Sequence, residues 1–73
     1  MQMVNNANQD ILLKDNEFYD TVFTDLTYED TLIENRIFEE CTFIDSNFSE
    51  AQFYRCKFIS CEFKNCNLLY SVF

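Results

Sequence analysis

Apolar residues recur every five positions along this chain, and that period limits the possible folds more than any other feature. Phe18, Phe23, Tyr28, Ile33, Phe38, Phe43, Phe48, Phe53, Phe58, Phe63, Leu68 and Phe73 follow one another without a gap, and every Phe of the chain lies on this register. Leu13 extends it backwards by one step. A second register, two residues earlier, runs through Ile11, Asn16, Thr21, Leu26, Thr31, Arg36, Cys41, Ser46, Ala51, Cys56, Cys61, Cys66 and Ser71; it is mostly small and holds all four cysteines. The remaining positions are mainly polar, as in Thr24-Asp25, Glu29-Asp30 and Glu39-Glu40.

Neither regular element accommodates this period alone. Five helical steps rotate the side chain by about 140°, so the stripe would wander around a helix. Five steps along a strand reverse the face. A corner once per repeat resolves the conflict: the small residue and the Phe point inward from one short extended side, and the remaining residues turn the chain into the next. The expected product is a coil whose successive turns lie parallel at about 4.8 Å.

The repeats Cys41-Thr42-Phe43-Ile44-Asp45, Cys56-Lys57-Phe58-Ile59-Ser60 and Cys61-Glu62-Phe63-Lys64-Asn65 resemble the core repeat of the pentapeptide-repeat family. The resemblance covers residues 11–73. It implies an all-β fold, a right-handed quadrilateral parallel β-helix of about three coils with four repeats per coil. Residues 1–10 are then an N-terminal lead or partial cap, and 11–73 the β-helix. Residues twenty apart stack into columns: Phe18, Phe38 and Phe58; Phe23, Phe43 and Phe63; Tyr28, Phe48 and Leu68; Leu13, Ile33, Phe53 and Phe73. The chain has no Gly or Pro, so type I-like corners are expected, with an occasional Asn at a position requiring positive φ. An uncovered coil end exposes apolar side chains and unpaired backbone. The end at Phe73 therefore implies either a homodimer through an open coil end or a longer rod.

Composition narrows the function. With 73 residues the chain holds one domain at most, and its 18% aromatic content is too high for a disordered segment. The net charge of −8 disfavours direct nucleic-acid binding and favours basic partners. The acids are concentrated in the first two thirds; residues 51–73 carry Glu62 against Arg55, Lys57 and Lys64. The polar Met1–Asp10 segment lacks the pattern of a signal peptide, and no apolar run reaches membrane-spanning length. A cytoplasmic location with reduced thiols is expected.

Stacking brings acids together on the outside. Asp20 lies below Glu40, Asp25 below Asp45 and Asp30 below Glu50, with Glu29 and Glu34 nearby. These are the candidate partner-binding residues. Tyr54, Ile59, Leu69 and Tyr70, joined by Ile44, are outward by register and form a candidate apolar interface. Arg36 faces inward by register, and its charge requires a nearby carboxylate or an irregular corner. The cysteines are spaced for core packing and not as the close pairs of a zinc site. Cys41 and Cys61 stack, but with parallel side chains, so a reduced pair is expected. No metal or cofactor is expected. The chain has no His and no Gly-rich phosphate loop, which disfavours catalysis.

The expected function is a non-enzymatic interaction module. Some pentapeptide-repeat proteins imitate DNA, bind DNA gyrase or topoisomerase IV and protect them from quinolones or toxins. The resemblance extends that reading to the acidic columns here. A general interaction or structural scaffold is the alternative.

Overall fold

A single backbone event repeats along the chain. Asp20, Asp25, Asp30, Asn35, Glu40, Asp45, Glu50, Arg55, Ser60, Asn65 and Tyr70 all have φ between 50° and 60°. One residue in five is thus left-handed, and each such residue turns the chain at a corner. This differs from the type I-like corners expected from the sequence. The turn selects a left-handed residue every time, and where Gly is absent Asp and Asn are the least strained substitutes.

The computed structural model describes residues 1–73. Short strands separate the corners: β1 (Gln2–Val4), β2 (Glu17–Tyr19), β3 (Thr21–Thr24), β4 (Leu32–Glu34), β5 (Ile37–Glu39), β6 (Thr42–Ile44), β7 (Gln52–Tyr54), β8 (Lys57–Ile59) and β9 (Glu62–Lys64). One helical turn, α1 (Ile11–Lys14), precedes β2. The strands stack into three parallel sheets, β1-β3-β6-β9, β2-β5-β8 and β4-β7. A fourth side is made by the parallel bridges Thr27–Asn47 and Asn47–Asn67. The registers place Phe18 beside Phe38 and Phe38 beside Phe58, Phe23 beside Phe43 and Phe43 beside Phe63, and Ile33 beside Phe53. The chain is therefore a four-sided parallel β-solenoid of about three coils, as the twenty-residue stacking implies.

Aromatic columns fill the interior. Phe43 lies flat against Phe23 and Phe63, each at 4.7 Å between centroids, and meets Phe38, Phe48 and Phe58 at steeper angles. The stacked and edge-on geometries are those favoured by ring quadrupoles. Burial is complete in the lower coils and fades upward: Phe23, Phe38, Phe43 and Phe48 are fully buried, Phe58, Phe63 and Leu68 are half-buried, and Phe73 is 60% exposed.

The N-terminal segment closes the lower end. Strand β1 pairs with β3 and buries Val4 completely. The register expectation for Leu13 is corrected here: Leu13 is 47% exposed, and Leu12 occupies the buried place. A helical turn advances each side chain by about 100°, so the five-residue register does not extend into α1.

Candidate functional site

The expected acidic columns exist, and the corners produce them. Asp20 and Glu40, Asp25 and Asp45, and Asp30 and Glu50 are all left-handed corner residues, twenty apart, and all six are exposed. The local turn that tolerates Asp therefore also projects its carboxylate away from the core. Each column ends in the third coil on an uncharged residue: Ser60, Asn65 and Tyr70. Asn65 Nδ2 donates to Asp45 Oδ1 at 2.6 Å, so an amide tops the Asp25–Asp45 column. Thr24 Oγ1 donates to Asp25 Oδ2 at 3.3 Å, and Asn47 Nδ2 donates to Glu29 Oε1 at 2.8 Å. Glu34 ends β4 beside Tyr54 of β7.

Little of this charge is neutralised within the chain. The two ion pairs are the N-terminal amine with Asp20 at 3.8 Å and Lys64 with Glu62 at 3.6 Å, both exposed. The acids face solvent as an uncompensated field, strongest over the first two coils. An open groove of about 440 Å³ runs beside the Asp25–Asp45–Asn65 column, lined also by Thr27, Asn47 and Asn67. Carboxylates, amides and a hydroxyl line it, a surface suited to cationic and hydrogen-bonding groups.

The candidate apolar residues are exposed, Tyr54 at 53%, Ile59 at 44%, Leu69 at 59% and Tyr70 at 75%. They do not share one side. Tyr54 is on β7, Ile59 on β8, and Leu69 and Tyr70 follow the bridge residue Asn67 on another side. Ile44, on β6, is half-buried. Tyr54 instead lines a shallow groove of about 160 Å³ with Arg55, Val72 and Phe73, and the Arg55 guanidinium lies 5.1 Å from its ring centre.

Arg36 departs from the expected carboxylate partner. Its Nε donates to the Leu12 carbonyl at 3.0 Å, and its Nη1 and Nη2 donate to the carbonyls of Glu34 and Leu13. The guanidinium serves the free carbonyls at the end of α1, where a cation is favoured. Gln9 was not singled out by the sequence. Its side-chain amide accepts from the Thr27 N–H at 3.1 Å and donates to the Thr27 carbonyl at 3.2 Å. It thus pairs the lower edge of the fourth side as a strand would. Tyr28 Oη also donates to the Gln9 carbonyl. No sequence period marks Gln9, because one side chain here stands in for a backbone segment.

The cysteines are free, and their sulfurs serve the inner wall. Cys41 Sγ donates to the Phe18 carbonyl at 3.4 Å, Cys56 to Ile33 at 3.4 Å, Cys61 to Phe38 at 3.2 Å and Cys66 to Phe43 at 3.2 Å. Burial pushes the Cys41 and Cys56 thiols up, partly opposed by hydrogen bonds from the backbone. Burial also raises Tyr28, with a smaller push from Asp10, while the hydrogen bond to Glu17 raises Tyr19.

The family model that matches the chain is that of the SV2A/B/C luminal domain, over residues 1–68. No curated protein and no solved structure matches it.

Proposed function

Since the chain belongs to the SV2A/B/C luminal-domain family, we propose that it acts as a non-enzymatic interaction module presenting its outer surface to a protein partner. The observation that carries this reading is the set of acids at left-handed corners, exposed and stacked one coil apart. Such a surface attracts basic partners at long range and is weakened by salt. The test reverses one column at a time: Asp20→Lys with Glu40→Lys, Asp25→Lys with Asp45→Lys, and Asp30→Lys with Glu50→Lys. Binding to a basic model partner, such as a poly-lysine peptide, is then titrated at low and high salt. Loss confined to one column identifies the contact face. Equal binding by every variant overturns the reading.

A narrower reading follows the resemblance to pentapeptide repeats: the acidic columns imitate DNA and engage DNA gyrase or topoisomerase IV. Only the stacked carboxylates support it. Supercoiling by gyrase, with and without a fluoroquinolone, decides it. Inhibition or protection that weakens in salt and disappears with Asp25→Lys and Asp45→Lys sustains it, and no effect at high micromolar protein removes it.

For the compartment, the support is chemical. Each cysteine sulfur lies within hydrogen-bond distance of a carbonyl and none is paired with another, an arrangement compatible with reduced thiols and with a cytoplasmic setting. The SV2A/B/C domains are, by contrast, luminal domains. Alkylation of the protein in intact cells, followed by mass spectrometry, distinguishes four free thiols from an oxidised pair.

A further inference from the structure

We propose that the side of the solenoid built by β3 and β6 is the docking face for a basic amphipathic helix of a protein partner, with the helix's apolar stripe on the strands and its Lys and Arg residues along both edges. The inference rests on the acidic-surface reading and deepens it by naming the face and the class of partner.

Strand alternation builds the floor of that face. Val22 and Thr24 of β3 and Thr42 and Ile44 of β6 point outward, because Phe23 and Phe43 between them are buried in the core. Val22 lies beside Thr42 and Thr24 beside Ile44, and Met3 of β1 continues the first column below Val22. All five are uncharged; Met3 is exposed and the other four are half-buried. Val, Thr and Ile are stiff at χ1, so little side-chain freedom is left to lose when a partner binds.

The edges of the face are left-handed corners. Asp20 and Glu40 stand on one edge, Asp25 and Asp45 on the other, and all four are exposed. The N-terminal amine reaches Asp20 at 3.8 Å; Glu40, Asp25 and Asp45 have no cationic partner in the chain. Two acidic edges therefore bound an uncharged, largely β-branched floor. The other sides lack this combination. The β2-β5-β8 side carries Glu17, Glu39 and Lys57 on its floor. Thr27, Asn47 and Asn67 make the floor of the fourth side polar. The β4-β7 side has Asn35 and Arg55 along one edge.

The dimensions suit a helix lying along the rod. The four residues of β3 separate Asp20 from Asp25, about 13 Å at the rise of a strand, and a helix with its side chains is about 10–12 Å across. Successive acids on each edge are one coil apart, about 4.8 Å, while helix residues i and i+3 or i+4 are offset by about 4.5–6 Å. Cations flanking an apolar stripe thus meet the acids of both edges as the stripe covers Val22, Thr24, Thr42 and Ile44. Charge argues against other occupants: the same face of a second copy, a nucleic acid or an anionic membrane would set like charges together.

The probe is a synthetic helical peptide of about 18 residues made of Leu, Ala and Lys, with Leu at i, i+3, i+4 and i+7 and Lys on both flanks of that stripe. A scrambled peptide of the same composition keeps the charge and loses the stripe. Backbone amide shifts of the labelled protein are followed by NMR as each peptide is added, at low and at high salt. The ordered peptide is expected to bind about tenfold more tightly than the scrambled one, with shifts concentrated in β3 and β6 and absent from β4 and β7. Asp20→Asn with Glu40→Gln, and Asp25→Asn with Asp45→Asn, are each expected to weaken it about threefold to tenfold, and Asp30→Asn with Glu50→Gln to leave it unchanged. Val22→Thr with Ile44→Thr keeps the β-branching and removes apolar surface; it is expected to weaken the ordered peptide about fivefold and to leave the scrambled peptide as before. The amide spectra of the free variants establish that they fold. Equal binding of the two peptides, shifts centred on another side, or indifference to the Val22 and Ile44 substitutions overturns the docking face. Salt-sensitive binding of both peptides in that case leaves the acidic-surface reading standing, whereas poly-lysine binding that no column reversal alters overturns that reading, so the two failures are separate results.

Discussion

Arg36 Nε donates to the Leu12 carbonyl at 3.0 Å, linking residues 24 apart in sequence. This bond, with those to Leu13 and Glu34, ties the N-terminal helical turn to the solenoid wall. Arg36→Ala leaves those carbonyls to water or to nothing, and about 1–3 kcal/mol of stability is expected to go with them. Urea denaturation measures the loss. Limited proteolysis locates it, with new cleavage before residue 17. Arg36→Lys is expected to recover only part, because an ammonium cannot reproduce the planar fork.

Gln9 offers a more local test. Its amide satisfies both backbone groups of Thr27 where no strand lies below. In Gln9→Leu, of similar size but without polar atoms, Thr27 is exposed to exchange. Native-state hydrogen exchange should show the Thr27 amide accelerating while Asn47, whose N–H bonds to the Leu26 carbonyl, holds its protection. The global cost is expected at about 1–2 kcal/mol. Unchanged exchange at Thr27 would refute the edge-pairing role.

Much of this architecture was legible in the sequence, and the limit has a physical cause. The column from Phe23 to Phe63 could be read because five-residue corners preserve the inward direction of the same position in every repeat. Leu13 failed that rule because α1 turns by a different angle per residue. Leu12, Gln9 and Arg36 were not legible as a closing device, since each makes a contact that no repeat copies. The acidic columns were legible as columns. Their origin at left-handed corners was not, because Asp serves equally in turns of several types.

The ring columns predict a gradient of mutational cost. Phe43 is fully buried and touches five other rings, whereas Phe73 stacks on Phe53 at 4.9 Å but is 60% exposed. Phe43→Ala is expected to cost about 3–5 kcal/mol, enough to unfold much of so small a chain. Phe73→Ala is expected to cost about 1 kcal/mol or less, in proportion to the smaller area it hides. Denaturant midpoints for the two, measured in dilute solution, check the ordering.

The corners supply a stabilising change. Glu50 has φ 60° with no glycine to relieve it, and a left-handed L-residue carries a strain of about 1–2 kcal/mol. Glu50→Gly removes the strain but frees the unfolded chain, so a net gain of about 0.5–1 kcal/mol is expected. Asn35→Val, at φ 59°, places a β-branched residue in the same region and is expected to lower the melting temperature. Opposite shifts for the two variants in thermal melts support the corner geometry; shifts of the same sign do not.

The buried thiol adds a dependence on pH. Burial raises Cys41 above its ordinary value of 9.0, so the folded state disfavours the thiolate more than the unfolded state does. The associated stability is fully present below the ordinary thiol value and is lost as pH rises through the raised one. Denaturation midpoints are therefore expected to hold at neutral pH and to fall only as pH rises above the ordinary thiol value of about 8.5–9. Cys41→Ser should flatten part of that fall, because a serine hydroxyl does not titrate there. The fold already accepts such a residue: Ser46, on the same register, is buried and donates to the Ile44 carbonyl at 2.9 Å. If Cys41→Ser loses stability with pH as steeply as the parent, titration of Cys41 is not the cause. The half-buried Cys56, also raised by burial, is then the next thiol to replace.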